Sequence, residues 1–297
     1  NRFVKLTREV GMSIKPVDTE VKLKKKIRLK LYVDDTSLPI GSRGNLVNLK
    51  IGNTKIPSHV DKVYFDTDMK AVDGIKYLSK HDYDEQKLSQ LLSIGIMGQQ
   101  KKRVFVPTRW GIVATHSMLA DEKLSRIKGY PSLDEFRFFT GDYLGNYYFI
   151  LFFPGNYNYE LFETYLPGSF WNPTTKINMG IDFEPFKGRT KYAENTAGGF
   201  YATRLGLTEY LDKIKRQASV LVFRIESNEY WASLGVWVVL ASVRKTLMNK
   251  HIIIDEKSKA LEFLKNKIYG RFRLDVGDTL KGSKLLDVIR QKKLLDF

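Results

Sequence analysis

"YYFILFFPGNYNYELFETYLPGSFW", residues 147–171, decides the fold. Tyr147–Phe153 is the longest apolar run of the chain, and it stops at Pro154–Gly155. That is strand length, and a strand apolar on both faces belongs inside a covered sheet. A second run ends at Pro167–Gly168, and "SVLVFRI" (219–225) is a third of the same kind. Helical patterns lie around these strands. Residues 84–97 read as a helix with Asp84 as N-cap. Residues 121–138 read as two short helices broken at Gly129–Tyr130–Pro131, the second capped by Ser132. A longer helix opens at Gly198–Gly199, and 234–250 starts strand-like and turns helical. Residues 259–270 form an amphipathic helix with Gly270 as its stop, and a short helix at 283–290 leads into the tail. Strands and helices do not alternate as β-α-β units. The expectation is an α+β fold, with a mixed or antiparallel sheet, packed helices, C-terminal helices and a flexible tail.

The 297 residues carry 49 Lys and Arg against 33 Asp and Glu, a formal net charge of +16. An excess of this size points to an anionic partner, with nucleic acid foremost. There is no cysteine, which excludes disulfides and thiolate metal sites in this chain. His59, His81, His116 and His251 are too far apart in sequence for a paired-His metal motif. No GxSxG, HExxH or phosphate-loop motif occurs, and no apolar run is long enough to span a bilayer. The chain begins with Asn and shows no signal-peptide pattern. It reads as a trimmed or incomplete chain of an intracellular protein.

Candidate contacts follow from charge patterning. In "EVKLKKKIRLKLYV" (20–33), Lys22, Lys24, Lys26, Arg28 and Lys30 fall on even positions opposite an apolar odd face, broken only by Lys25. This is the period of a half-buried strand. Its basic face fits DNA phosphates, and equally a lysine-protected edge strand. Five neutralised phosphates would give a slope of log affinity against log salt near about −4.5. "KKRVFVPTRW" (101–110) sets Arg103 and Arg109 around a short strand ending at Trp110, suited to a phosphate and a stacked base or to a structural ion pair. Arg189 and Lys191 precede the Gly-Gly helix start, whose backbone N–H groups can cradle an anion. Arg204 follows inside that helix, and Lys213 and Arg216 share a face at its far end. Asp66 and Asp68 could hold Mg²⁺ only with water completing the shell. One alternative reading has Arg109, Trp110, Arg189, Lys191 and Arg204 converging on a nucleotide or DNA-end pocket of a processing enzyme. A clamp-bound scaffold is another.

Several blocks in one order resemble the Nre family of archaeal DNA-repair proteins. They include "KPVDTEVKLKKK" (15–26), "KIPSHVDKVYFDTDMKA" (55–71), "KKRVFVPTRWGI" (101–112), residues 143–173, residues 187–225 and "LGVWVVLASVRKTL" (234–247). The resemblance implies a role in DNA damage repair, in the cytoplasm and associated with the nucleoid. It implies an N-terminal region to about 187, a C-terminal region over 188–290 and a tail at 291–297. Family members generally begin with a CxxC-type zinc finger. With no Cys present, no cofactor is expected in this chain, and zinc would belong to a missing N-terminal part. Many Nre proteins end in a box that binds the sliding clamp PCNA. That box maps here onto Gln291, Leu294 and Phe297. Residues three apart share one side of a 3₁₀ turn, so Leu294 and Phe297 can enter one pocket together. The family box usually has two aromatics and this tail one, a difference of about 1.5–3 kcal/mol in buried apolar surface. DNA and the clamp are the expected partners, with no membrane.

Overall fold

A computed structural model describes residues 2–27, 32–34, 37–40, 44–231 and 234–290. The chain divides into two units, Asn1–Glu122 and Lys123–Phe297. In the first unit, α1 (Arg2–Met12) leads to β1 (Thr19–Leu23), β2 (Tyr32–Asp34), β3 (Ser37–Ile40) and β4 (Leu46–Ile51). Then follow α2 (Ser58–Phe65), α3 (Ala71–Ser79), α4 (Glu85–Ser93) and the start of α5 (Thr108–Ile127), within which the division falls. β1 pairs antiparallel with β4, and β2 with β3, each as a two-stranded ribbon. The helices carry the core: Val60 and Val63, Ile75 and Leu78, Leu88 and Leu91 are all buried. Asp84 caps α4 as expected, its carboxylate accepting the Lys87 N–H at 2.7 Å.

Two local readings change in this unit. The long strand over 20–33 is not formed, because β1 ends at Leu23 and residues 24–27 lie outside any strand. Val21 stays 51% exposed, although its cross-strand partner Leu49 on β4 is buried. Lys24, Lys25 and Lys26 then set three like charges in a row. The strand read over 104–106 is an unpaired extended segment, and Trp110 belongs to the first turn of α5.

The second unit is built on the aromatic stretch. β5 (Phe136–Tyr143), β6 (Asn146–Phe153), β7 (Asn158–Tyr165), β8 (Asn178–Glu184), α6 (Ala197–Ile214), β9 (Ser219–Glu226), α7 (Val236–Met248), β10 (Ile252–Ile254), α8 (Lys257–Phe272), α9 (Gly277–Lys281) and α10 (Lys284–Arg290) follow in order. The sheet has six strands in the order β10-β5-β6-β9-β7-β8. β7 and β9 run parallel and the other pairs antiparallel, so the fold is α+β with a mixed sheet. Among the described residues, no helix is long and apolar enough to cross a membrane.

Alternation sorts the two sheet faces. Tyr147, Phe149, Leu151 and Phe153 of β6 join Phe162, Leu221, Phe223 and Ile225 against Ala260, Leu264 and Ile268 of α8. Phe162 and Phe223 stack across the parallel pair, 4.6 Å between centroids. Each such ring contributes about 1.5–3 kcal/mol by leaving water. Phe272 packs on Tyr147 at 5.0 Å, which carries α8 past the expected stop at Gly270 to a left-handed cap at Arg273. The helix expected after Ser132 is instead β5, because Phe136, Phe138 and Phe139 are needed in the sheet. On β7, the buried Glu160 carboxylate accepts the Ser283 hydroxyl and the N–H groups of Lys284 (3.0 Å) and Leu285 (3.2 Å). It thereby caps α10, the helix that precedes the tail.

The opposite face lies under α6 and is polar in its centre. Arg224 of β9 donates to Glu163 and Asn146, and to Glu226 at 3.1 Å, with all three charged side chains buried. Glu163 approaches the start of α6 so closely that a Cβ on Gly199 would lie 2.1 Å from its carboxylate oxygen. The Gly-Gly pair therefore opens a helix whose positive end is met by the protein's own carboxylate. The Tyr148 hydroxyl hydrogen-bonds that of Thr203 at 3.0 Å, and Tyr159 packs on Phe200 at 4.7 Å.

β5 and β6 turn through Leu144 and Gly145, both with positive φ, 50° and 74°. A two-residue hairpin turn of this kind favours Asn-Gly, and an L-residue such as Leu costs about 1–2 kcal/mol there. Leu144 is exposed, so Leu144→Asn is expected to raise stability by about 1 kcal/mol. A thermal melt checks this, and an unchanged midpoint contradicts it.

Candidate nucleic-acid interface

A cation that contacts a phosphate must reach solvent with donors to spare. The residues singled out in the sequence divide on that criterion. Arg103 gives its N–H groups to the carbonyls of Gly98 (2.6 Å), Tyr64 (2.5 Å), Val63 (3.2 Å) and Asp66 (2.5 Å), closing the C-terminal end of α2. Burial and the neighbouring Arg8 push its pKa down. Arg189 pairs with Asp182 at 3.0 Å and donates to the Phe183, Lys191 and Tyr192 carbonyls, folding the 187–196 loop onto β8. Arg204 grips Glu184 with two hydrogen bonds of 2.6 and 2.7 Å, almost wholly buried. A phosphate at Arg189 or Arg204 would have to displace a carboxylate. Asp66 spends one carboxylate oxygen on the N–H groups of Asp68 and Met69. No group of three or more metal-ligating side chains occurs among the described residues.

Other candidates do face solvent. Lys22, Lys24 and Lys26 are exposed on and after β1, and Lys191 is exposed beside Tyr192, which stacks on Tyr201 at 5.2 Å. Arg109 and Trp110 are exposed at the start of α5. Arg28 and Lys30, and the tail residues Gln291, Leu294 and Phe297, lie outside the described residues.

Lys213 and Arg216 stand exposed at the end of α6, and the fold gathers further cations around them. Arg126, in the last turn of α5, meets Asp212 at 2.8 Å. The Tyr130 hydroxyl donates to Asp212 at 2.8 Å, and Lys215 lies 3.1 Å from the same carboxylate and 5.2 Å above the Tyr130 ring. Lys128 sits 5.2 Å above the exposed Phe186 ring. Hydrogen bonds from Arg126 hold the Asp212 carboxyl well below its ordinary range, and the Tyr130 hydroxyl and Asp212 raise the Lys215 ammonium. One carboxylate thus holds two cations, Arg126 and Lys215, beside the Tyr130 ring, while Lys128 covers Phe186. Reading the sequence missed Arg126, Lys128 and Tyr130. Its one accessible signal was basic residues closing both helices; the pairing of residues 86 apart in the chain was not accessible.

A family model described as archaeal Nre, N-terminal, matches residues 1–172, and one described as archaeal Nre, C-terminal, matches 184–297. The chain belongs to the archaeal Nre family. DNA repair protein NreA of Archaeoglobus fulgidus is 39% identical over 254 residues, covering 85% of this chain and 64% of the relative. NreA of Haloferax volcanii is 34% identical, covering 82% and 59%. DNA repair protein NreB of Archaeoglobus fulgidus is 33% identical over 298 residues, covering 100% of this chain and 74% of the relative. The chain thus spans less than two thirds of the length of both NreA proteins. No solved structure matches it. The N-terminal model ends after β7 and the C-terminal model begins at the last residue of β8, so β5, β6 and β7 of the sheet come from one region and β9 and β10 from the other.

Proposed function

We propose that this Nre chain serves in DNA repair, holding DNA on basic surface and reaching the sliding clamp PCNA through residues 291–297. The observation that carries the reading is its relationship to Nre proteins named for DNA repair. Support comes from the net charge of +16 and from cations that the fold leaves in solvent. Those are Lys22, Lys24 and Lys26 in the first unit, and Lys213, Lys215 and Arg216 with Arg126 in the second, where Lys128 is half-buried. Such a surface contacts backbone phosphate without reading sequence. In the tail, Leu294 and Phe297 enter the clamp pocket while the Gln291 amide hydrogen-bonds at its rim. The protein then works in the cytoplasm, at the nucleoid.

Calorimetric titration of the clamp tests the recruitment. The intact chain is expected to bind, and a chain lacking 291–297 is expected to lose all measurable heat. Duplex binding by both chains should be equal and should weaken with salt, about −0.9 in log–log slope for each phosphate neutralised. Clamp binding that survives removal of the tail, or a salt-independent DNA affinity, would overturn the corresponding half of the proposal.

A further inference from the structure

The six-stranded sheet ends in two edge strands, β8 and β10, and the chain treats them differently. An open edge presents a row of N–H and C=O groups that invites another strand. On β8 the 187–196 loop covers that row. The Asn195 side-chain amide donates to the Ile181 carbonyl at 2.9 Å, and Arg189 to the Phe183 carbonyl at 2.7 Å. The Asn195 carbonyl approaches Gly180 so closely that an added Cβ would stand 2.4 Å from it. Where β5 runs on beyond β10, the Asn249 side-chain amide takes the Thr140 carbonyl at 3.0 Å, and Gly141 packs against Thr246 of α7. Among the described residues no strand lies outside β10. Successive side chains of a strand point to opposite faces, yet Ile252 is 42% and Ile253 54% exposed, and Met248 at the end of α7 is 82% exposed. Only Ile254 packs against the core. Protected edges carry lysine, proline or a bulge. This one carries three isoleucines.

The charges stand at the two ends of those isoleucines. Lys250 and His251 precede them, and Asp255 and Glu256 follow. Lys250, Asp255 and Glu256 are exposed, while the His251 ring packs on Phe139 at 5.2 Å. Glu256 also meets Lys259 at 3.1 Å, with both side chains largely in solvent. Two antiparallel copies of one strand, related by a two-fold axis, pair residues whose numbers add to a constant. With the axis at Ile253, Ile252 faces Ile254, His251 faces Asp255 and Lys250 faces Glu256. Each acid then meets a cation or an imidazole, and opposite charges across strands stabilise the pair. An axis at Ile252 would set Lys250 against Ile254, and an axis at Ile254 would set Glu256 against Ile252. Nucleic acid gains nothing from isoleucines bordered by two acids. A foreign strand would need the same order of charges, which a second copy supplies by symmetry.

We propose that β10 pairs antiparallel with β10 of a second copy of this chain, centred on Ile253, and joins two six-stranded sheets into one. Three residues make a short ladder, so the association is weak and reversible, and the flanking charges decide its register.

Sedimentation equilibrium of the full chain tests this at about 0.15 M salt, where the net charge is largely screened. Loaded at about 1–100 μM, the parent is expected to show a monomer–dimer equilibrium. Ile253→Lys places like charges on the two-fold axis and should leave monomer throughout. The site is exposed, and an unchanged melting temperature shows that the variant is folded. Lys250→Glu should raise the dissociation constant about ten-fold. That substitution lowers the net charge, so an association limited by general repulsion would tighten instead. Combining Lys250→Glu with Glu256→Lys restores both pairs with their charges exchanged, and should return the constant to within about three-fold of the parent. A parent that stays monomeric, a dimer that Ile253→Lys leaves intact, or a double variant no tighter than Lys250→Glu overturns the pairing.

Discussion

Arg224→Leu is expected to destabilise the second unit by about 3–5 kcal/mol at pH 8, because it leaves two carboxylates buried without their cation. A typical domain has only about 5–15 kcal/mol to lose. Arg224 is shared between Glu163 and Glu226, with Asn146 taking its remaining donors. One guanidinium cannot neutralise two ionised carboxylates. Burial therefore wins at Glu226 and raises its pKa from 4.5 to about 7, against the pull of Arg224 and the Trp171 N–H. The cluster is neutral when it keeps one proton. Between pH 4.5 and about 7 the folded chain binds more protons than the unfolded chain, so this site loses stability as pH rises through that window. Without Arg224, which pulls the Glu226 pKa down, Glu226 holds its proton to higher pH. The Arg224→Leu loss should then be smaller at pH 5 than at pH 8. Glu226→Gln in the parent should flatten the parent's own pH dependence. Denaturant midpoints at the two pH values decide the matter. A variant with the parent's midpoint at pH 8 would mean that the buried pair does not depend on Arg224.

The same cluster shows what could be read in advance. Tyr147–Phe153 announced a buried strand because every position is apolar, and no partner was needed to see it. The class of fold followed from such runs. Arg224, inside "LVFRIES", signalled only that a buried cation needs a counter-charge. Its partner, Glu163, is 61 residues earlier on a strand whose adjacency to β9 depends on a crossover through α6. Local patterns failed where tertiary supply overrode them. Lysine alternation at 20–33 had the period of a strand, but β1 stops at Leu23, where three consecutive lysines follow. Ser132 had the chemistry of a helix cap, but the phenylalanines after it were worth more in the sheet. Arg103, Arg189 and Arg204 read as phosphate ligands because a sequence shows charge and not whether the charge is already spent. The exposed cations were legible by type, and their grouping around Asp212 was not.

The sheet order makes a second large effect testable. β9 comes from the C-terminal Nre region, yet it lies between β6 and β7 of the N-terminal region, paired with each along its whole length. Residues 1–187 alone would keep β5–β8 but would lose Val220, Leu221, Val222, Phe223 and Ile225, all fully buried. At about 1.5–3 kcal/mol for each side chain, that is on the order of 10 kcal/mol, comparable with the stability of a whole domain. Two strand ladders disappear with them, leaving β6 and β7 as open edges. The expected result is that amides of 136–184 exchange freely in the 1–187 fragment and become protected when 188–297 is supplied in trans. Hydrogen exchange is the right measurement because the first unit, retained in that fragment, can melt cooperatively by itself and would mask the loss in a global signal. Slow exchange across β6 and β7 in the isolated fragment would show that the N-terminal Nre region completes a sheet without its partner. Dependence on the second fragment would mean that the two regions fold as one, and that a destabilising substitution in either region unfolds the sheet that both build.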